Sequence, residues 1–303
     1  MCVLSSINLQ QSYCVQRRDA PATLLARLGL SWEGAAHLAN QHTMRVQRWL
    51  SSRAPGAACF EGAGVTAAST GIPVPLLNLA LDAQFPATCN AAAIAQEIAD
   101  VKGFFVARDV PFTWWLSPLA TPEDIDRRLR RHGLAPRDYR LPAMIAPLDA
   151  PERWPLGHPN VQVWSARDRE DLEAASLIRR VAFRFPEGVA LTYFEDMAED
   201  WLRGDPARLY LARVGDAGPP VAMGALVMGD GVPGVYVLAT LPDMERQGLG
   251  KAILHRILTD AAAEGHRLIV LTSGAKAYSL YRKFGFMHIF EYGLYQLSQV
   301  SER

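Results

Sequence analysis

The chain has 303 residues, half of them apolar, and its 31 basic side chains balance 31 acidic ones. That length exceeds what one hydrophobic core usually organises and points to two domains. Zero net charge excludes a surface built chiefly for nucleic acid, and no apolar run reaches the roughly 20 residues that span a bilayer. The first residues show no basic stretch followed by an apolar one, so no secretory leader is expected and the cytoplasm is the expected compartment. Cys2, Cys14, Cys59 and Cys89 are widely spaced and form no CxxC pair. Free thiols are expected there, not disulfides or a metal site.

In chain order, residues 22–28 and 32–50 read as helices separated by Gly29. The second carries Ala36, Leu38, Met44, Val46, Trp49 and Leu50, with His37 and His42 among them. Histidines five apart do not share a helix face, and no HExxH frames them, so a metal site is not expected. The run Gly62-Ala63-Gly64-Val65-Thr66-Ala67 matches the dinucleotide fingerprint in form, with Asp82 about twenty residues on. It is rejected, because Gly71 and Pro73 interrupt the helix that should follow. Strands over 62–68 and 76–81 fit better. Asn90 caps a helix carrying Ile94, Ile98 and Val101, which Gly103 ends. Residues 104–106 are short and apolar, and 112–116 read as a strand in which Trp114 and Trp115 share their faces between core and surroundings. Pro122 fits the first position of a helix with Glu123 and Asp124 in its first turn and Ile125 and Leu129 as its stripe. A further strand is expected at 141–145. Residues 147–160 are rich in proline and polar side chains and read as a linker. The expected division is therefore 1–150, a linker at 151–160, and 161–303.

The second part opens with a strand at 161–164. Asp168 begins a helix through Phe183, and a second helix is expected over 192–202. Strands follow at 209–214 and 221–228, then a turn at 231–234 and a β-branched strand at 235–239. A polar loop then leads to Gly248-Leu249-Gly250 and at once into an amphipathic helix, with Leu249, Ile253, Ile257 and Ala261 on one face. Gly265 ends it in a left-handed cap. A buried strand over 268–271, a helix with Tyr278 and Tyr281, Gly285-Phe286 and a last strand at 292–297 complete the chain.

Strand, glycine loop and helix N-terminus together make an anion site. The first helical turn leaves N–H groups unpaired under partial positive charge, and glycines let a phosphate approach the backbone. The loop is neither a Walker A motif nor GxGxxG.

Glu245-Arg246-Gln247-Gly248-Leu249-Gly250 resembles the pyrophosphate loop of the GNAT superfamily of acyl-CoA-dependent N-acyltransferases, Arg/Gln-x-x-Gly-x-Gly/Ala after the fourth strand. Glu245 stands where that family usually has Arg or Gln. Ala277-x-x-Leu280-Tyr281-x-x-x-Gly285-Phe286 resembles its second signature. The element order over 161–297 is that of the family's fold, and 111–134 resembles the degenerate N-terminal half of tandem-GNAT proteins. The resemblance implies a mixed-sheet α/β fold, with a GNAT domain in the C-terminal half and a second GNAT-like domain before it.

The resemblance also implies acetyl-CoA as co-substrate and no metal. Amides of Arg246, Gln247, Gly248, Leu249, Gly250 and Lys251 would hold its pyrophosphate. Leu238, Ala239 and Thr240 would pair with the pantetheine arm, the N–H near Leu238 holding the thioester oxygen. Ser273 and Thr272, at the end of the fifth strand, either touch the arm or cap the next helix, and Tyr281 would protonate the thiolate. The acceptor would be a primary amine of a small molecule or peptide, attacking directly in a ternary complex, with neither nucleic acid nor membrane as partner. Many family members place a glutamate base on the fourth strand. Here that strand offers only Tyr236, so the proton leaves through water or through Glu187, Tyr193 or Glu195. Two rival readings are a non-catalytic acyl-CoA sensor and a ping-pong enzyme carrying the acyl group on Cys59 or Cys89.

Overall fold

The computed structural model describes residues 22–81, 83–186, 189 and 192–298. Cys2, Cys14, Asp82 and Glu187 lie outside the described residues. The N-terminal half contains helices α1 (Ala22–Arg27) and α2 (Trp32–Ser52), strands β1 (Ala58–Glu61), β2 (Thr66–Ser69) and β3 (Asn78–Leu81), helix α3 (Ala91–Val106), strand β4 (Thr113–Leu116), helix α4 (Ile125–Arg131) and strand β5 (Leu134–Pro147). The C-terminal half contains β6 (Val161–Ser165), α5 (Arg169–Ala182), α6 (Tyr193–Asp196), α7 (Ala198–Arg203), β7 (Ala207–Val214), β8 (Ala222–Gly229), β9 (Val232–Thr240), α8 (Leu249–Ala263), β10 (Leu268–Thr272), α9 (Tyr278–Lys283) and β11 (Met287–Leu297). No described helix is long and apolar enough to cross a membrane.

Two helix starts follow directly from cap chemistry. The Asn90 carboxamide oxygen accepts from Ala93 N–H at 2.9 Å, and the Asp168 carboxylate accepts from Asp171 N–H at 3.0 Å. Other boundaries differ from the sequence expectation. Helix α3 continues through Gly103 to Val106, because Phe105 is fully buried and stacks on Phe112 at 4.3 Å. Helix α4 starts at Ile125 rather than Pro122, and the helix expected over 192–202 breaks into α6 and α7 at Met197. The hairpin between β8 and β9 turns at Asp230 and Gly231, so Pro233 and Gly234 belong to the strand.

The eleven strands among the described residues form one sheet, in the order β1-β2-β3-β4-β11-β5-β10-β9-β8-β7-β6. The halves exchange strands at its centre. Strand β5, from the first half, lies between β10 and β11, and β11, from the second, lies between β4 and β5. Side chains alternate along β5: Met144 and Ala146 point to one face, Ala143 and Ile145 to the other. Helices α8 and α9 cover the first face over the C-terminal strands, and α3 and α4 cover it over the N-terminal ones. Helices α1 and α2, with α5 to α7, cover the opposite face. Trp114 and Trp115 are both buried, the first under α3 and α4, the second against Tyr292 at 5.4 Å on the other face.

Candidate active site

The site is built where β9 and β10 part. Their parallel pairing is confined to Val270 with Gly234 and Leu271 with Val235. Beyond Val235, β9 keeps β8 as a neighbour, while Thr272 pairs with Ala143 of β5 and Ser273 N–H donates to Pro142 O at 2.8 Å. The β10-facing edge of residues 236–240 is therefore left without a strand partner among the described residues. A bulge opposite Gly224, with Val237 at φ 46°, bends β9 away at this point. Leu238, Ala239 and Thr240 lie on the freed segment.

A single 3-10 turn (Pro242–Met244) leads from the open end of β9 to α8. Arg246 (φ 60°) and Gly248 (φ 82°) are both left-handed, and Gly248 is the residue before the helix. No side chain caps α8, and its first intrahelical bond runs from Ala252 N–H to Gly248 O at 2.9 Å. The N–H groups of Leu249, Gly250 and Lys251 thus have no partner within the helix and point out of its positive end. There is room beside them: a Cβ on Gly250 would come no nearer than 3.9 Å to Thr240 Oγ1. Glu245, the unexpected acid in this loop, forms an ion pair with Lys276, so its charge is matched beside the loop.

Tyr281 sits on the α8 side of the sheet, 5% exposed, edge-on to Phe286 at 5.6 Å and in one cluster with Val235, Leu249 and Leu271. None of the described residues hydrogen-bonds its hydroxyl. Burial pushes its phenol well above the ordinary range, so it carries a proton at neutral pH. Ser273 is fully buried, and its hydroxyl donates to Gly274 O at 2.8 Å. Tyr278 meets His288 instead, its hydroxyl 3.4 Å from Nδ1.

Sequence reasoning missed the linker's part in this site. Residues 154–158 run back along α8: Trp154 stands edge-on to His255 at 6.3 Å, and Gly157 packs against Ala252. His158 arrives beside Gly248, its Cβ 3.2 Å from where a Gly248 Cβ would be. The two described base candidates are both engaged. The Tyr193 hydroxyl donates to Leu50 O, its ring lies under the Arg179 guanidinium at 4.6 Å, and Glu195 accepts from the Ser176 hydroxyl. Cys59 is on β1, seven strand spacings of about 4.8 Å from β9. Cys89 lies in the loop before α3, also in the N-terminal half. The Gly62 turn is no dinucleotide site. Its amides at Ala63, Gly64 and Val65 donate to the Glu97 carboxylate at 2.9, 2.9 and 2.8 Å.

Residues 175–286 match the model of the acetyltransferase (GNAT) family. A GCN5-related N-acetyltransferase from Kribbella flavida is 23% identical with a TM-score of 0.63, the match covering 86% of this chain and 95% of that one. One from Sphaerobacter thermophilus is 16% identical with a TM-score of 0.58, over 78% and 80% of the two chains. A tandem GNAT protein from the clavulanic acid biosynthesis pathway is 13% identical with a TM-score of 0.57, over 87% and 98%. A comparison with curated proteins finds no match. Residues 175–286 are thus a domain of the GNAT acetyltransferase family, within a chain that shares its fold with GCN5-related N-acetyltransferases over most of its length.

Proposed function

We propose that the chain is an N-acetyltransferase that moves the acetyl group of acetyl-CoA to a primary amine of a small molecule or peptide, by direct attack within a ternary complex. The observation that carries this is the opening between β9 and β10, which leads straight to the uncapped N-terminus of α8 with a protonated phenol beside it.

The amides of Arg246 to Lys251 hold the pyrophosphate, with Gly250 keeping that surface clear. The free edge of Leu238, Ala239 and Thr240 pairs with the pantetheine arm, alongside Ser273. The N–H near Leu238 stabilises the oxyanion that forms when the amine attacks. Tyr281 then gives its proton to the departing sulfur. Residues 161–303 form the catalytic half, and 1–150 form a degenerate GNAT-like half joined through 151–160. That first half shapes the acceptor side, since Leu50, Val74 and Leu77 share a core cluster with α5, α6 and α7. The reaction is placed in the cytoplasm, where thiols such as Cys59 and Cys89 stay reduced. Its test is acetyl-CoA turnover against a panel of free amino acids, polyamines, amino sugars and short peptides, followed as released thiol. Amine-dependent release supports the reading, and its absence across the panel contradicts it.

A further inference from the structure

Two loops form the lips of the opening between β9 and β10. Residues 241–248 run from the open end of β9 to α8, and residues 273–277 run from the end of β10 to α9. An ion pair joins the two: the Lys276 ammonium holds the Glu245 carboxylate. The Lys276 side chain is 79% exposed and that of Glu245 30%, so the pair spans the mouth at the protein surface. Behind it the two helices meet. A Cβ on Gly250, in the first turn of α8, would stand 4.0 Å from Leu280 Cδ2 of α9. Lys276 thus reaches across from the α9 lip, and its ammonium lies at Glu245, three residues before Gly248.

The pair resolves an electrostatic conflict. A carboxylate just ahead of a helix is drawn to the unpaired amides and the positive end of the dipole. Yet no side chain caps α8, and the partner of Glu245 is Lys276. The amides of Leu249, Gly250 and Lys251 therefore stay open. The charges at the mouth nearly cancel: residues 241–251 and 273–277 hold Arg246, Lys251 and Lys276 against Asp243 and Glu245. That balance is a poor match for a diphosphate unless the cation held by Glu245 changes partner. A lysine suits such an exchange, being a point charge on a flexible stem with three rotatable donors. An exposed ion pair is weak. Bonds from an ammonium to a phosphate already held by helix amides are charge-assisted and shorter, so the exchange runs downhill.

We infer that Lys276 is a coenzyme-binding residue, which leaves Glu245 when acetyl-CoA enters and binds the diphosphate held at the N-terminus of α8. The inference rests on the function proposed above, through its coenzyme site. The diphosphate is gripped from both lips, by the α8 amides on one and by Lys276 on the other. Glu245 is the resting partner of the ammonium and competes with the coenzyme for it.

A lysine that only screened Glu245 would make the same ion pair, and a double variant separates the two roles. The experiment is calorimetric titration of acetyl-CoA into the wild type, Lys276→Met, Glu245→Gln and the double variant, each checked for its fold by circular dichroism. Lys276→Met should weaken binding roughly tenfold. Glu245→Gln should tighten it about threefold, since nothing then competes for the ammonium. In the Glu245→Gln background, Lys276→Met should again cost roughly tenfold. A lysine that only screened Glu245 has nothing to screen there, so equal binding by Glu245→Gln and the double variant overturns the inference. Unchanged affinity in Lys276→Met overturns it too, as does weaker binding by Glu245→Gln than by the wild type. The loss in Lys276→Met should persist with the 3′-dephospho form of acetyl-CoA, and a loss confined to the intact coenzyme overturns the assignment to the diphosphate. Each of these results leaves the acetyl-CoA reading standing. A wild type that binds no acetyl-CoA brings down both.

Discussion

Burial beside Phe284, Phe286 and Leu249 disfavours the phenolate, and this keeps the Tyr281 hydroxyl protonated. Since its hydroxyl bonds to none of the described residues, Tyr281→Phe should change stability by under about 1 kcal/mol. It should lower kcat by roughly 100-fold while acetyl-CoA affinity holds within about twofold. Steady-state kinetics beside calorimetric titration check both halves of that statement. His42 makes a prediction about pH. Burial, opposed by Gly229 O and Asp230, lowers its pKa from 6.5 to about 4. A folded-state value below the unfolded one means stability that is complete above pH 6.5 and drains away as pH falls toward 4. The loss is about 3 kcal/mol by linkage. Denaturant unfolding from pH 7 to 4 should show this slope in the wild type, and it should be absent in His42→Gln. The place of Tyr281 in a linear signature is legible in the sequence. The surroundings of His42 are not, because its partners Gly229 and Gly234 lie nearly two hundred residues away, and nothing local marks that pairing. Glu245 is a lone acid in the loop's sequence, and its partner Lys276 lies 31 residues on, where no local pattern points.

Local chemistry marks elements well where it dominates. Asn90 and Asp168 cap as their side chains dictate, and Gly265 takes the left-handed conformation that ends α8. It misleads where burial outweighs propensity. A glycine inside a helix costs roughly 1 kcal/mol, and the buried Phe105 carries α3 past Gly103 regardless. The turn into α8 is the element most exposed to test. Gly248 has φ 82°, and an added Cβ would press on His158 at 3.2 Å. Gly248→Ala should therefore destabilise the fold by about 1–2 kcal/mol. It should also weaken acetyl-CoA binding, since the same loop presents the amides. Thermal unfolding and titration of that one variant check both effects. Either effect without the other would separate the loop's conformation from its ligand.

At the scale of the whole molecule, the central pair β5 and β11 decides how the halves relate. Residues 151–160 connect two elements, β5 and β6, but the sheet is not divided there: β5 serves β10 across that connection, and β11 serves β4. The run at 141–145 reads as a strand from its residues alone. Which strands flank it is a matter of long-range pairing that no local pattern encodes. The exchange predicts that fragments 1–150 and 161–303 made separately each expose an unpaired central edge and aggregate, as uncovered edges do. Co-expressed, they should form a soluble complex. The intact chain should unfold in one transition by both circular dichroism and tryptophan fluorescence. Two resolved transitions would mean that the halves are independent despite the shared sheet.

The most direct test of the account is calorimetric titration of acetyl-CoA into the wild type and into Gly248→Trp. Binding in the micromolar range that the tryptophan abolishes, with the fold intact by circular dichroism, is the predicted result. Equal binding by both proteins would move the coenzyme away from the N-terminus of α8. No binding to either would contradict the reading of this opening as an acyl-CoA site.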